Sequence, residues 1–144
     1  MCIKKIIAVM MSAVMAFVLS VSSYAYVEYH DSDITPMYEI AINPTAYITI
    51  SGTSAICESS VSGLSTKVSS ITVVQTLQKH LAFGIYTDVS GASWTKSVDG
   101  RNISISKSKS GLDSGTYRVK AVFTLTANDG TVETVTVYSE TGII

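Results

Sequence analysis

The chain has 144 residues, the length of one domain, with 10 basic and 11 acidic side chains and a formal net charge of −1. A charge this small and slightly acidic offers no basic surface for phosphates, so a nucleic-acid partner is not expected.

The first 25 residues have the three regions of a secretory signal peptide. Lys4 and Lys5 form a short basic segment, residues 6–19 are apolar and uncharged, and Ser23 and Ala25 are the small residues required before a cut after Ala25. The apolar run is shorter than the roughly 20 residues that span a bilayer, so cleavage is favoured over an uncleaved membrane anchor. Residues 1–25 are therefore predicted to be a signal peptide, and the rest of the chain to be secreted.

Cleavage would leave Cys57 as the one cysteine of the mature chain, with eight basic and eleven acidic side chains and a charge of −3. An intramolecular disulfide is then excluded. A single cysteine in an exported protein is compatible with a disulfide between chains, with a nucleophile, or with a small buried apolar side chain.

Residues 26–44 are polar and contain Pro36 and Pro44, so we expect an extended, partly mobile leader. The pattern changes at Thr45. From there apolar and polar residues alternate, which is typical of half-buried strands. Residues 45–144 are therefore predicted to form one β domain.

The first two strands are predicted at 47–51 and 55–61, and a longer apolar alternation covers 71–85. A loop is predicted at 88–91. A hairpin turn is predicted at Asp99-Gly100, because Asp-Gly favours the tightest hairpin turns.

The clearest strand is 116–126, where the odd-numbered residues from Tyr117 to Leu125 are apolar and the even-numbered ones are mostly polar. A turn at 128–130 leads to a last strand at 131–138. No segment of the mature chain has a helical period, and β-branched residues dominate. About seven short antiparallel strands indicate a sandwich or a barrel.

The segment from Asp113 to Ala121 resembles strand F of immunoglobulin-like domains, in which an acidic residue, a glycine and a tyrosine precede the second core cysteine. Val119 stands where that cysteine would be, and Cys57 stands where the first would be, on strand B. The resemblance implies an immunoglobulin-like sandwich in which the Tyr117 hydroxyl bonds to nearby backbone. It also implies that Cys57 is free and buried against Val119.

The chain also resembles a family of small exported Firmicutes proteins, mainly clostridial, that is uncharacterised and counts as a domain of unknown function. The resemblance covers most of residues 34–140. The matching residues are Pro36 with Tyr38, Ser54-Ala55-Ile56-Cys57, Leu77-Gln78-Lys79, Trp94, and Gly115 to Lys120. Membership would imply export and a sandwich fold, and it would bring no chemistry with it.

Candidate catalytic and metal-binding groups are sparse. Residues 30–33 hold a histidine and two aspartates, but they lie in the leader without a closing acidic ligand. Cys57 and His80 are a conceivable nucleophile–base pair that lacks an orienting third residue. Asp113 is predicted to cap the turn before strand 116–126 through its side chain rather than to act as an acid. We therefore predict no catalytic residue, no metal and no cofactor.

Two groups of side chains are candidates for a ligand surface. The first is an aromatic platform of the kind that binds sugars, with the members Trp94, Tyr86 and Tyr47. The alternative for these three residues is ordinary cross-strand packing. The second is a basic patch for anionic cell-wall polymers, with the members Lys96, Arg101, Lys107 and Lys109. The alternative is that these charges lie on edge strands and prevent aggregation.

The working hypothesis is a non-catalytic exported module that binds a cell-wall or host glycan, or another protein. One alternative is a small exported hydrolase that uses Cys57 or a carboxylate. Another is a structural protein that assembles through its edge strands.

Overall fold

The computed structural model describes residues 38–64 and 66–144, which are all-β, as predicted. Within these residues no helix is long and apolar enough to cross a membrane. The strands are β1 (Ala41–Ser51), β2 (Ser54–Gly63), β3 (Val68–Ala82), β4 (Ile85–Val98), β5 (Asn102–Lys109), β6 (Thr116–Ala127), β7 (Val132–Tyr138) and β8 (Gly142–Ile143).

The strands form two antiparallel sheets. One has the order β1-β2-β5, and the other has the order β4-β3-β6-β7, with the short β8 added to β6. These are strands A, B and E facing strands C′, C, F and G of an immunoglobulin-like sandwich. The fold predicted from the sequence is confirmed, with one more short strand than expected.

The core lies between the sheets and is organised by β6. Every odd-numbered residue of β6 from Tyr117 to Leu125 is buried, and the even-numbered residues face outward. In the ladder Phe123 lies between Val73 of β3 and Val135 of β7, and all three are buried. The opposite sheet contributes Ala55, Cys57, Val61, Ile103 and Ile105 to the core.

The domain begins earlier than the sequence suggested. β1 starts at Ala41 rather than at 45, and both Ile40 and Ala41 are buried. The register of β1 against β2 shifts between Ile42 and Thr45, and Asn43 has a φ of 48°. Pro44 therefore occupies a bulge on an edge strand, which is a position where proline is tolerated. It does not mark a leader. The rest of the predicted leader, residues 26–37, lies outside the described residues.

The side chain of Glu133 fixes the start of β1 against β7. Its carboxylate accepts hydrogen bonds from the backbone N–H groups of Glu39 (2.8 Å), Ile40 (3.3 Å) and Ala41 (3.1 Å). Hydrogen bonds to a charged acceptor are stronger than neutral ones, so this single residue holds the start of β1 against the second sheet.

The β3–β4 hairpin turns at Phe83-Gly84, not at the loop predicted at 88–91. Ala82 pairs with Ile85 across the turn, and residues 88–91 lie inside β4. The polar and glycine residues there accompany a bulge, since Thr76 pairs with Ser93 while Gln78 already pairs with Asp88.

Asp99-Gly100 does not close a hairpin within one sheet. β4 pairs with β3 and β5 pairs with β2, so this turn carries the chain from one sheet to the other. The dipeptide marks a turn correctly, but local sequence does not say which partner the next strand will choose.

Candidate ligand-binding site

Cys57 lies in the core on β2, with 0% of its surface exposed, and Val119 is equally buried on β6. Burial raises the pKa of the thiol from 9.0 to about 11, because the low-dielectric core disfavours the thiolate. The nucleophilic form of this cysteine is therefore disfavoured at neutral pH.

Alkylating reagents should label Cys57 at least about a hundredfold more slowly in the folded protein than in denaturant. Because the folded pKa is the higher one, Cys57 contributes stability in full below pH 9.0 and loses it as the pH rises toward about 11. Urea melts across this range would measure the loss, and Cys57→Ala should remove its share of the slope. Rapid native labelling would contradict the buried position.

His80 is remote from the thiol. It faces outward at the end of β3, where its ring meets the ring of Tyr86 edge-on with centroids 5.1 Å apart. Its Nε2 accepts a hydrogen bond from the backbone N–H of Gly84 at 3.3 Å. Because Cys57 points into the core and His80 points out of the other sheet, the structure does not bring the conceivable nucleophile–base pair together.

Tyr117 makes the hydrogen bond of a tyrosine corner: its hydroxyl donates to the backbone carbonyl of Asp113 at 2.7 Å. The predicted role of Asp113 as a side-chain cap is corrected. The turn uses the backbone carbonyl of Asp113, and Asp113 itself is an exposed residue. The corner needs only a carbonyl at the right position, and any residue supplies one.

The predicted aromatic platform does not form. Trp94 is partly buried and packs against the core, next to the buried Gln75 in the ladder. Tyr47 is 61% exposed but lies on β1, in the other sheet. Tyr86 is the one member on the outer face of the β4-β3-β6-β7 sheet. The three side chains belong to different surfaces because the alternation along each strand, not their aromatic character, sets their direction.

The predicted basic patch is spread along the open edge between β4 and β5. The ammonium group of Lys96 donates to the carbonyl of Ser104 at 2.8 Å, which joins the two edge strands across the seam. Arg101 precedes β5 and Lys109 ends it, so the two are roughly 25 Å apart at the rise of a strand. Lys107 is exposed between them. These cations line an edge and do not converge on one point.

A different cluster forms on the outer face of the β4-β3-β6-β7 sheet. The guanidinium of Arg118 lies 3.7 Å from the ring centre of Tyr86 and 4.1 Å from that of Tyr138. Three strands supply it: Tyr86 is on β4, Arg118 on β6 and Tyr138 on β7. We call this group the Tyr–Arg–Tyr cluster.

Hydrogen bonds orient the cluster. Nε of Arg118 donates to Oε1 of Gln78 at 3.0 Å, and Nε2 of Gln78 donates to Oδ1 of Asp88 at 2.9 Å. The bond to Gln78 uses one of the five N–H donors of a guanidinium. Within residues 38–64 and 66–144 the structure records no acceptor for the other four.

The arrangement combines a fixed charge with aromatic surface. Contact between the guanidinium and the two rings favours the cation and restricts its rotamers, so little entropy remains to be lost when a ligand binds. The unused donors form the planar fork that matches a carboxylate. Chemically, the cluster is suited to hold an acidic group on an open face.

Sequence reasoning identified Tyr86 but missed Arg118, Tyr138, Gln78 and Asp88. The alternation of β6 already placed Arg118 on the outer face, which was the available signal. Nothing local indicated that β7 would bring Tyr138 to the same spot. Among the described residues no group of three or more His, Cys, Asp or Glu side chains could hold a metal ion. Residues 30–33 lie outside them.

No known protein family matches the chain, and a search of characterised proteins finds no match. Among solved structures, wild-type OgpA from Akkermansia muciniphila is 12% identical with a TM-score of 0.34, over 73% of this chain and 31% of OgpA. The CARDB domain of the PF1109 protein from Pyrococcus furiosus, solved with di-metal ions, is 18% identical with a TM-score of 0.36, over 74% of this chain and 95% of that one. The chain thus spans about a third of OgpA. Likenesses this weak carry no conclusion about activity, and the fold is assigned from the strand pairing.

Proposed function

We propose that the chain is an exported, non-catalytic binding module whose ligand surface is the Tyr–Arg–Tyr cluster. The observation that carries this proposal is the guanidinium of Arg118 held between the rings of Tyr86 and Tyr138, at 3.7 and 4.1 Å. Export is supported by the three-part pattern of residues 1–25. A non-catalytic role is supported by the burial and raised pKa of Cys57, the leading candidate nucleophile.

The ligand chemistry follows from the donors of Arg118. A guanidinium whose orientation is fixed, on a solvent-facing sheet, favours a group that accepts two parallel N–H bonds, and a carboxylate fits best. The flanking tyrosine rings add apolar surface and hydroxyl groups beside it. We therefore propose a carboxylate-bearing ligand, either an acidic glycan or an acidic peptide segment.

The test is a matched pair of substitutions. Isothermal titration would measure the affinity of the wild-type protein for a uronic-acid oligosaccharide, a glutamate-rich peptide and a neutral oligosaccharide. Arg118→Lys keeps the charge but loses the planar stacking and the bidentate donors, so affinity for the acidic probe should fall about tenfold. Arg101→Lys makes the same change in the predicted basic patch and should leave that affinity unchanged.

The two acidic probes distinguish a glycan from a protein ligand. Unchanged affinity in both the Arg118→Lys and Arg101→Lys proteins would mean that net charge, which both substitutions keep, holds the ligand without the Tyr–Arg–Tyr cluster. Loss in the Arg101→Lys protein alone would move the site to the β4–β5 edge. Either result would contradict the proposed surface.

A further inference from the structure

The tip of the β3–β4 hairpin extends beyond the sheet that carries it. The pairing of β3 with β6 ends at Lys79 opposite Tyr117, but β3 continues to Ala82 and turns back at Phe83-Gly84. The projecting part is three residues long on β3, which at the rise of a strand is about 10 Å. Among the strands that the structure describes, the hairpin beyond Lys79 pairs only with itself.

This tip is apolar and uncovered. Phe83 is 99% exposed, Leu81 is 62% exposed and Ile85 is 59% exposed. They are adjacent along one turn, unlike the scattered apolar residues that any protein surface carries. A clustered apolar projection of this kind marks a contact with something outside the domain.

The turn holds Phe83 in a backbone conformation that is unfavourable for a bulky side chain. Phe83 has a φ of 52° and Gly84 a φ of 73°, as a two-residue type I′ turn requires. Asn-Gly is the preferred pair in such turns, and a bulky residue at positive φ is an outlier. Folding stability alone would place asparagine at position 83, so the aromatic side chain is kept at a cost, as is common at functional positions.

A polar collar surrounds the base of the tip. The first pair below it is His80 with Tyr86, and the N–H of Gly84 is tied to His80. One step further lies Lys79, and two steps below lie Arg118 and Asp88, the latter hydrogen bonded to Gln78. Tyrosine and cationic side chains at the foot of an apolar projection match the order of groups that a membrane–water interface prefers.

We propose that the hairpin tip (Leu81, Phe83 and Ile85) inserts into the surface of a lipid bilayer that contains anionic headgroups. The projection of about 10 Å matches the 5–10 Å depth to which interfacial segments enter a membrane. Lys79 and Arg118 would then lie at the level of the headgroups, where they attract anionic lipid. This role is additional to the acidic ligand of the Tyr–Arg–Tyr cluster: the inserted residues are different, and the two surfaces share Tyr86 and Arg118 at the base of the tip.

The first experiment measures partitioning of residues 26–144, the chain expected after cleavage, onto phosphatidylcholine vesicles with and without phosphatidylglycerol. We expect binding that is stronger with phosphatidylglycerol and weaker at high salt, since the charged part is screened. Phe83→Asn should lower the partition coefficient by on the order of tenfold, because Phe83 is the most exposed of the three apolar side chains of the tip. Tyr47→Asn changes another exposed aromatic residue, on the opposite sheet, and should have no effect.

Asparagine suits the positive φ of the turn better than phenylalanine, so Phe83→Asn should raise the thermal midpoint of unfolding. A loss of vesicle binding in this variant would therefore not be due to unfolding. It should leave affinity for the acidic probes unchanged, so failure of this proposal and failure of the Tyr–Arg–Tyr cluster are distinguishable. Equal vesicle binding by the Phe83→Asn and wild-type proteins would overturn the proposal, because the binding would then belong to another segment. Absence of vesicle binding by the wild-type protein would overturn it as well.

A second readout is specific to the tip. In residues 26–144, which lack Cys2, Phe83→Cys carries an environment-sensitive dye, and the buried Cys57 stays unlabelled under native conditions. Vesicles whose lipids carry a quencher at shallow depth should quench a dye at position 83. A dye attached through Tyr47→Cys should keep its fluorescence. Equal quenching at both positions would show that the tip is not the inserted element.

Discussion

Phe123→Ala should lower the free energy of unfolding by about 3–5 kcal/mol, the largest stability loss expected from a single substitution in this domain. Phe123 is fully buried at the centre of β6, between Val73 and Val135 in the ladder. Removing the ring forfeits its burial and leaves a cavity that rigid sheets on both sides cannot close. Urea denaturation monitored by the fluorescence of Trp94 would measure the loss.

The matched control is Val122→Ala, the next residue on the same strand. Val122 faces outward and is only partly buried, so its loss should cost less than about 1 kcal/mol. Similar losses for the two variants would contradict the assignment of the odd-numbered face of β6 to the core.

Ser59→Ala should cost about 1–3 kcal/mol, a large effect for the loss of one hydroxyl. The core contains a polar pair: the Ser59 hydroxyl donates to Oε1 of Gln75 at 2.6 Å, and Nε2 of Gln75 donates to the carbonyl of Cys57 at 3.1 Å. Gln75 is 0% exposed, so the alanine variant leaves its amide oxygen without a partner and away from water.

A double-mutant cycle isolates this effect. Adding Gln75→Met to Ser59→Ala removes the orphaned oxygen and replaces the amide by an apolar chain of similar shape, so it should recover part of the lost stability. Ser106→Ala, on the exposed face of β5, should change stability by less than about 0.5 kcal/mol. Simple addition of the two losses at positions 59 and 75 would contradict the buried pair.

The sequence was informative where burial and strand period coincide. On β6 five alternate apolar residues point to one side, and this regularity sets the register of the whole sheet. Cys57 occupies the core position on β2 that the immunoglobulin-like resemblance implies. Both cases depend on a local pattern that has one low-energy solution.

Elsewhere the outcome depends on contacts distant in sequence. Pro44 looked like part of a leader, but Glu133, almost 90 residues later, binds the backbone N–H groups of residues 39–41 at the start of the same strand. The turn at Phe83-Gly84 lacks the usual asparagine, so turn chemistry pointed to the polar residues 88–91 instead. The Tyr–Arg–Tyr cluster needs β4, β6 and β7 in one sheet, and strand order is a property of the assembled core.

Amide chemical-shift mapping of the titration with the acidic probe tests the proposed surface most directly. If the Tyr–Arg–Tyr cluster binds the carboxylate, the largest shifts should fall on Gln78, Tyr86, Arg118 and Tyr138, on one face of the β4-β3-β6-β7 sheet. In the Arg118→Lys protein the same shifts should need about tenfold more probe. Shifts concentrated instead at Lys96, Arg101 and Lys107 would place the ligand at the β4–β5 edge and would contradict the proposal.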